Sequence, residues 1–268
     1  MFQQIALPSG ERLALDVTAP RGPDGTTFVY VHGLGSHRRG EKALFLDREL
    51  TRAGCGFARV DLRGHGESGG RFAELTLTRQ IEDLSAVLAH LGSGAAGTPP
   101  RRLLLIGASL GALTVAWHGV VAPPPKTGEP AIAAQVLIAP AFRIIERYLD
   151  ALGESGRARW EREGVYRFVG PWFEFDLRWD AVLDARRHPH DRLLRETRRP
   201  TLLLHGSDDS SAPLRYSQEF AERCTGTRPR LVAIEGGDHR LTAHKQRLLD
   251  EIVAFHSQVS KGELACAS

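Results

Sequence analysis

The chain has 268 residues, 42% of them hydrophobic, and its 35 Lys and Arg against 32 Asp and Glu leave a formal charge of +3. That is apolar material for one large core, expected as a single domain over residues 1–268, and the near balance of charge excludes the polyelectrolyte surface of a nucleic-acid or membrane-surface binder. Cys55, Cys224 and Cys266 are too few and too scattered for a disulfide framework or a zinc site, and no apolar run approaches a membrane span, so a soluble, cytoplasmic monomer or homodimer is expected.

Strand-length apolar runs alternate with longer helical patterns along the chain, the pattern of βαβ units around a mostly parallel sheet and so of the α/β class. Residues 5–6 and 12–17, flanking Pro8-Ser9-Gly10, read as an opening hairpin. Strands follow at 27–31, 57–60, 103–106, 134–138, 201–204 and 230–234, each apolar or β-branched and each followed by turn residues. The spacing predicts helices over 42–53, 77–91, 110–121, 214–224 and 240–254, the last burying Leu248, Leu249, Ile252 and Val253. The Gly/Pro-rich segments 92–100 and 122–130 read as loops rather than domain linkers. About sixty residues separate the strands ending at 138 and starting at 201, too many for a plain connection. A lid inserted at 141–199 is expected, leaving a core of 1–140 and 200–268. It carries Phe142, Tyr148, Trp160, Tyr166, Phe168, Trp172, Phe173, Phe175 and Trp179 among many Arg and acidic residues. Tyr166, Phe168, Trp172 and Phe173 are the rings expected to line an acyl or aryl pocket, although packing onto the sheet would explain any one of them as well.

The run 103–106 leads through Gly107-Ala108-Ser109-Leu110-Gly111 directly into a helical pattern. A serine hydroxyl attacks a carbonyl only when it is held exposed to a base and close to N–H donors for the oxyanion, and a sharp strand-to-helix turn does this. Gly107 and Gly111 supply the small residues such a turn needs. The base and its orienting carboxylate then follow in the order Ser, Asp, His. His205-Gly206-Ser207-Asp208-Asp209 lies beyond the strand at 201–204, and Glu235-Gly236-Gly237-Asp238-His239 beyond the strand at 230–234. Both sit outside the carboxyl ends of strands, where open α/β sheets place their sites. Ser109 is therefore the expected nucleophile, His239 the base and Asp209 the orienting acid. Asp208 and Asp238 are expected to brace their turns. Leu110 N–H and Leu34 N–H, the latter in His32-Gly33-Leu34-Gly35-Ser36, are the expected oxyanion donors. His32 and the segment Asp61-Leu62-Arg63-Gly64-His65-Gly66-Glu67-Ser68 are assigned structural roles. His188-Pro189-His190-Asp191 lacks further ligands at metal-site spacing, and no phosphate-cradling Gly-x-x-x-x-Gly-Lys-Ser/Thr occurs, so neither a metal nor an organic cofactor is expected.

Taken together, His32-Gly33, Asp61 to Ser68, Gly107 to Gly111, His205 to Asp209 and Gly237-Asp238-His239 resemble the alpha/beta-hydrolase superfamily over essentially the full chain. The resemblance implies an alpha/beta-hydrolase fold, a mostly parallel twisted central sheet flanked by helices. Within it, Ser68-Gly69-Gly70-Arg71-Phe72-Ala73-Glu74-Leu75-Thr76 and Ile81-Glu82-Asp83 are similar to the bacterial feruloyl or cinnamoyl carboxylesterases. Glu163-Gly164-Val165-Tyr166 and Asp238-His239-Arg240 are similar to the acyl-protein thioesterase branch of alpha/beta-hydrolase domain-containing protein 10. The expectation is a serine hydrolase of small acyl or aryl esters working through an acyl-enzyme. A thioesterase using the same residues is the alternative, and a catalytically silent binding module is disfavoured by the complete set Ser109, Asp209 and His239.

Overall fold

The computed structural model describes residues 1–123, 128–170 and 174–264. An antiparallel hairpin, β1 (Phe2–Ala6) and β2 (Arg12–Thr18), opens the chain and pairs antiparallel with β4 (Gly56–Val60). The remaining strands run parallel: β3 (Thr26–Val31), β5 (Arg102–Ala108), β6 (Ala131–Ile138), β9 (Thr201–Gly206) and β10 (Arg230–Ile234) complete an eight-stranded sheet in the order β1-β2-β4-β3-β5-β6-β9-β10. This is the mostly parallel sheet expected from the sequence. After β3 the chain goes to β4 on one side and then to β5 on the other, so the order reverses at β3/β5. At such a point loops leave the two strand ends in opposite directions and open a crevice.

Side-chain alternation divides the core between the two faces of the sheet. Val29, Val31, Leu103 and Leu105 point to α2 (Leu77–Gly92) and α3 (Leu110–Val121), while Phe28, Tyr30, Leu104 and Ile106 point to α1 (Glu41–Arg52) and α8 (Lys245–Ser260). Each fully buried aliphatic or aromatic side chain contributes about 1.5–3 kcal/mol, which is why these strands read as continuous apolar runs. Of the element bounds that differ from the sequence reading, two starts have a local cause. The strand expected from 134 begins at Ala131, because a register irregularity at Leu103/Leu104 lets it pair three residues earlier. The last helix begins at Lys245 rather than 240, because Leu241, at φ 50°, closes a turn by donating its N–H to Asp238 Oδ1 at 2.7 Å. Among the described residues no helix is long and apolar enough to cross a membrane.

The residues between β6 and β9 form a cap with its own small core. It comprises α4 (Ile144–Glu163, broken at Gly153), the antiparallel pair β7 (Val165–Val169) and β8 (Glu174–Arg178), α5 (Asp180–Ala185) and α6 (His190–Glu196). Trp160 is fully buried and donates Nε1–H to Leu177 O at 2.9 Å. The cap is tied to α2, where Thr78 N donates to Asp184 Oδ2 at 3.0 Å. The last fold element, α7 (Arg215–Arg223), packs beside β9 and β10.

Beneath the β3 and β4 ends, buried charge fixes the loops. The Arg38 guanidinium, 1% exposed, reaches Asp16 at 3.0 Å, Glu67 at 2.7 Å and the fully buried Asp61. Asp61 also accepts the Glu67 N–H at 2.9 Å, so the Asp61 to Ser68 segment is braced internally. Arg38→Met should destabilise the protein by about 3–5 kcal/mol, since it strands a buried carboxylate. Urea unfolding measures this, and Arg38→Met combined with Asp61→Asn should recover part of the loss.

Candidate active site

β5 stops and α3 starts with a single residue between them, Ser109, at φ 53° and ψ −116°. A side-chain-bearing residue in this region is strained, and the surroundings hold it there. Ser109 N donates to Ile138 O at 2.8 Å, and Ser109 O accepts from Ala112 N at 3.0 Å, Leu113 N at 3.2 Å and Ala141 N at 3.1 Å. Strand and helix cross so closely that a Cβ on Gly107 would lie 2.6 Å from Ala112 N, and one on Gly111 would lie 2.8 Å from the Val31 carbonyl carbon. Only glycine fits at both.

The loops after β9 and β10 bring the other expected residues to the serine. His239 Nε2 lies 2.9 Å from Ser109 Oγ, and His239 Nδ1 lies 2.7 Å from Asp209 Oδ2. A carboxylate can only accept, so Nδ1 carries the ring proton and Nε2 is left free to take the hydroxyl hydrogen. Asp209 is buried, and its Oδ1 accepts Ser211 N at 2.9 Å and Ala212 N at 2.7 Å. Burial alone would raise its proton affinity. Hydrogen bonds from His205, His239 and the Ala212 amide outweigh that and hold the carboxyl well below the usual carboxylate range. Asp209 therefore stays ionised wherever a histidine titrates. Asp208 is exposed and accepts from its neighbour Ser207 Oγ at 2.8 Å, and Asp238 caps the turn at Leu241. His32 is closed within its loop, with Nδ1–H donating to Gly33 O at 2.8 Å and Nε2 accepting Leu62 N–H at 3.1 Å.

Leu34 follows Gly33 in the β3 loop, and Leu110 follows Ser109 as the first residue of α3. A Cβ on Gly33 would lie 2.9 Å from Ser109 Cβ, so the β3 loop backbone lies against Ser109. Among the described residues no protein acceptor takes the Leu34 or Leu110 N–H. Both side chains border a partly open cavity whose walls are mostly apolar. Leu75, Leu77, Leu113 and Trp117 form its inner wall, and the cap contributes Ile144, Ile145, Tyr148 and Leu177.

Two of the cap rings expected to line this pocket, Tyr166 and Phe168, pack elsewhere. Tyr166 and Phe168 alternate on β7 with the exposed Val165 and Val169, and so turn into the small core of the cap. There Phe168 stacks on Phe175 at 5.2 Å and meets Trp160 edge-on at 5.2 Å, and Tyr166 packs 6.1 Å from Trp160. The cap's wall of the cavity comes from α4, whose Ile144, Ile145 and Tyr148 recur at helical spacing, a signal present in the sequence. Trp172 and Phe173 lie outside the described residues. His188 and His190 also border the cavity, His188 edge-on to Trp117 at 4.9 Å, and among the described residues no group of three or more His, Cys, Asp or Glu could hold a metal ion. A residue that the motifs did not single out is His205, buried at the end of β9 against Asp209.

Residues 28–252 match the alpha/beta hydrolase family. Over 216 residues the chain is 24% identical to the palmitoyl-protein thioesterase ABHD10, mitochondrial, of Bos taurus and of Homo sapiens, covering 80% of this chain. The chain spans 66% of the length of these curated relatives. Among solved structures it is similar to a putative hydrolase from Agrobacterium vitis S4, with 26% identity, a TM-score of 0.81, and 95% of this chain and 97% of that one covered. It is also similar to alpha/beta hydrolase domain-containing protein 10 from mouse, at 22% identity and TM-score 0.80 over 97% of this chain and 99% of that one. Est1E from Butyrivibrio proteoclasticus with ferulic acid bound shares the fold at 21% identity and TM-score 0.77, over 96% and 98%.

The hydrogen bonds around the two adjacent carboxylates separate their roles. Asp209→Asn should slow phosphonylation of Ser109 by a fluorophosphonate probe by about 10⁴-fold, because an amide cannot hold the same tautomer of His239. Asp208→Asn should label at close to the wild-type rate.

Proposed function

The chain belongs to the alpha/beta hydrolase family, and from that premise we propose that it is a serine hydrolase of carboxylic esters with an apolar acyl or aryl group. The observation that carries the reading is the continuous chain from Ser109 Oγ through His239 to Asp209, at 2.9 and 2.7 Å, on a serine held at positive φ. In this reading Ser109 Oγ attacks the acyl carbonyl as His239 Nε2 takes its proton, and Asp209 steadies the imidazolium. The Leu34 and Leu110 N–H groups receive the oxyanion. Collapse of the tetrahedral intermediate breaks the acyl–oxygen bond, and His239 returns the proton to the leaving alcohol. Water, deprotonated by the same imidazole, then attacks the acyl-enzyme, releasing the acid and restoring Ser109. The acyl chain lies in the cavity between α3 and α4.

A thioesterase is the second reading. The relatives named palmitoyl-protein thioesterase and the apolar lining of the cavity favour it, and the same residues would serve, with a thiol as leaving group. A silent binding module has no use for a strained, hydrogen-bonded serine.

Ser109→Ala should lower turnover of a p-nitrophenyl ester by about 10⁴- to 10⁶-fold with an unchanged circular dichroism spectrum and unfolding midpoint, and should abolish probe labelling. Undiminished hydrolysis by that variant would end the serine-hydrolase reading. Along a series of straight-chain esters, kcat/KM should climb a few-fold per carbon until the cavity is full, since each buried methylene contributes up to about 0.8 kcal/mol. Leu75→Trp, which fills the inner wall, should move the optimum to shorter chains. A flat profile in the wild type would sink the acyl-pocket assignment. Matched thioesters, compared after allowing for intrinsic reactivity, decide the leaving group.

A further inference from the structure

His205 is the penultimate residue of the β9 strand, fully buried, four residues before Asp209. Its Nε2 faces two groups that can only accept, the Ala212 carbonyl at 2.6 Å and Asp209 Oδ2 at 3.1 Å. Nε2 therefore carries the ring proton, hydrogen-bonded to the Ala212 carbonyl with Asp209 Oδ2 beside it. Nδ1 is the lone-pair nitrogen and accepts the Ser217 hydroxyl of α7 at 2.7 Å. One carboxylate oxygen thus holds His239 by a hydrogen bond on the solvent side and lies 3.1 Å from the Nε2 of His205 on the core side. The other oxygen is filled by the Ser211 and Ala212 amides. Among the groups that oppose the effect of burial on Asp209, His205 is the foremost. The further charges nearby are Asp238, Arg240 beside the base, and Lys42 of α1, which lies in the field of both Asp209 and Asp238.

We propose that His205 is a positioning residue for the hydrolysis: by setting its Nε2–H beside the oxygen that holds His239, it fixes that oxygen in place and draws off part of its charge. The proposal rests on the roles given above to Ser109, His239 and Asp209. Two consequences follow from the chemistry. An Asp209 without that N–H has a looser Oδ2, so the imidazole is aimed at Ser109 less often. The same carboxylate is also more basic, so it binds the imidazolium more tightly and the base is unprotonated only at higher pH. A residue that merely filled core volume would do neither.

The test compares His205→Leu, which removes the donor, with His205→Gln, which keeps an N–H, measuring kcat and KM for a reactive ester from about pH 5 to 9. The leucine variant should lose about ten- to a hundred-fold in kcat with KM little changed, and the acid limb of kcat/KM should move up by about half a pH unit to one unit. Glutamine should restore most of both. Ser217→Ala removes the hydroxyl that holds the His205 tautomer while leaving the ring in place, and should move the acid limb the same way by less. It carries the test if the leucine variant does not fold. An unmoved acid limb in folded His205→Leu, or in Ser217→Ala where the former fails to fold, overturns the proposal. So does a fall in thermal stability with kcat unchanged. Failure of the underlying reading is distinguishable, because wild-type protein would then resist the fluorophosphonate probe, and this proposal would fall with it.

Discussion

The backbone of Ser109 is the constraint on which the site depends. Residues in such a conformation cost on the order of 1–3 kcal/mol and persist only where neighbours over-determine them. Here the strand cannot continue, because α3 begins at once, and the helix cannot shift, because Gly107 and Gly111 leave no room for more than hydrogen atoms between β3, β5 and α3. Four backbone hydrogen bonds at Ser109 lock the arrangement. The hydroxyl is thereby lifted out of the sheet at the β3/β5 reversal, and the loops after β3, β9 and β10 need only reach it.

Those loops are held by buried polar pairs rather than by apolar packing. Arg38 gathers Asp16, Asp61 and Glu67. Arg63 lies against Asp83 at 2.6 Å, and burial pushes that carboxyl up to about 6 even with the guanidinium beside it. His205 lies against Asp209 from the core side, where it helps hold that carboxyl low instead. Each device places one donor or acceptor with the angular preference of a hydrogen bond, which aliphatic contacts do not provide. The apolar cavity by contrast needs only shape, and is built from leucine, isoleucine and aromatic surfaces.

The sheet and the elbow were legible in the sequence for a physical reason. A parallel strand buried on both faces is a compact apolar run, and a strand that meets a helix without a loop demands glycines at fixed offsets. Ser109, Asp209 and His239, about 130 residues apart at the extremes, came together because each follows a strand end and the strands are parallel. The cap was less legible. Tyr166 and Phe168 have the composition of a pocket wall, but only strand alternation around Trp160 decides which way they face, and nothing in the residues themselves sets that alternation. The start of α8 was misplaced because Leu241 looks like a helix residue and serves instead as a buried plug in a left-handed turn. His205 was hidden within a strand-end motif whose histidine could equally have been exposed.

The hydrogen bond from Ala141 N to Ser109 O, with left-handed residues at Ala139 and Arg143 on either side, joins the root of the cap to Ser109 itself. Any hinge that opened the cap by bending at 139–142 would drag the serine out of register with its base. The pivot compatible with an intact site lies farther along, beyond Arg143. A chimera that exchanged caps between relatives would for the same reason have to leave residues 139–143 with the recipient sheet and make its junction at the first turn of α4.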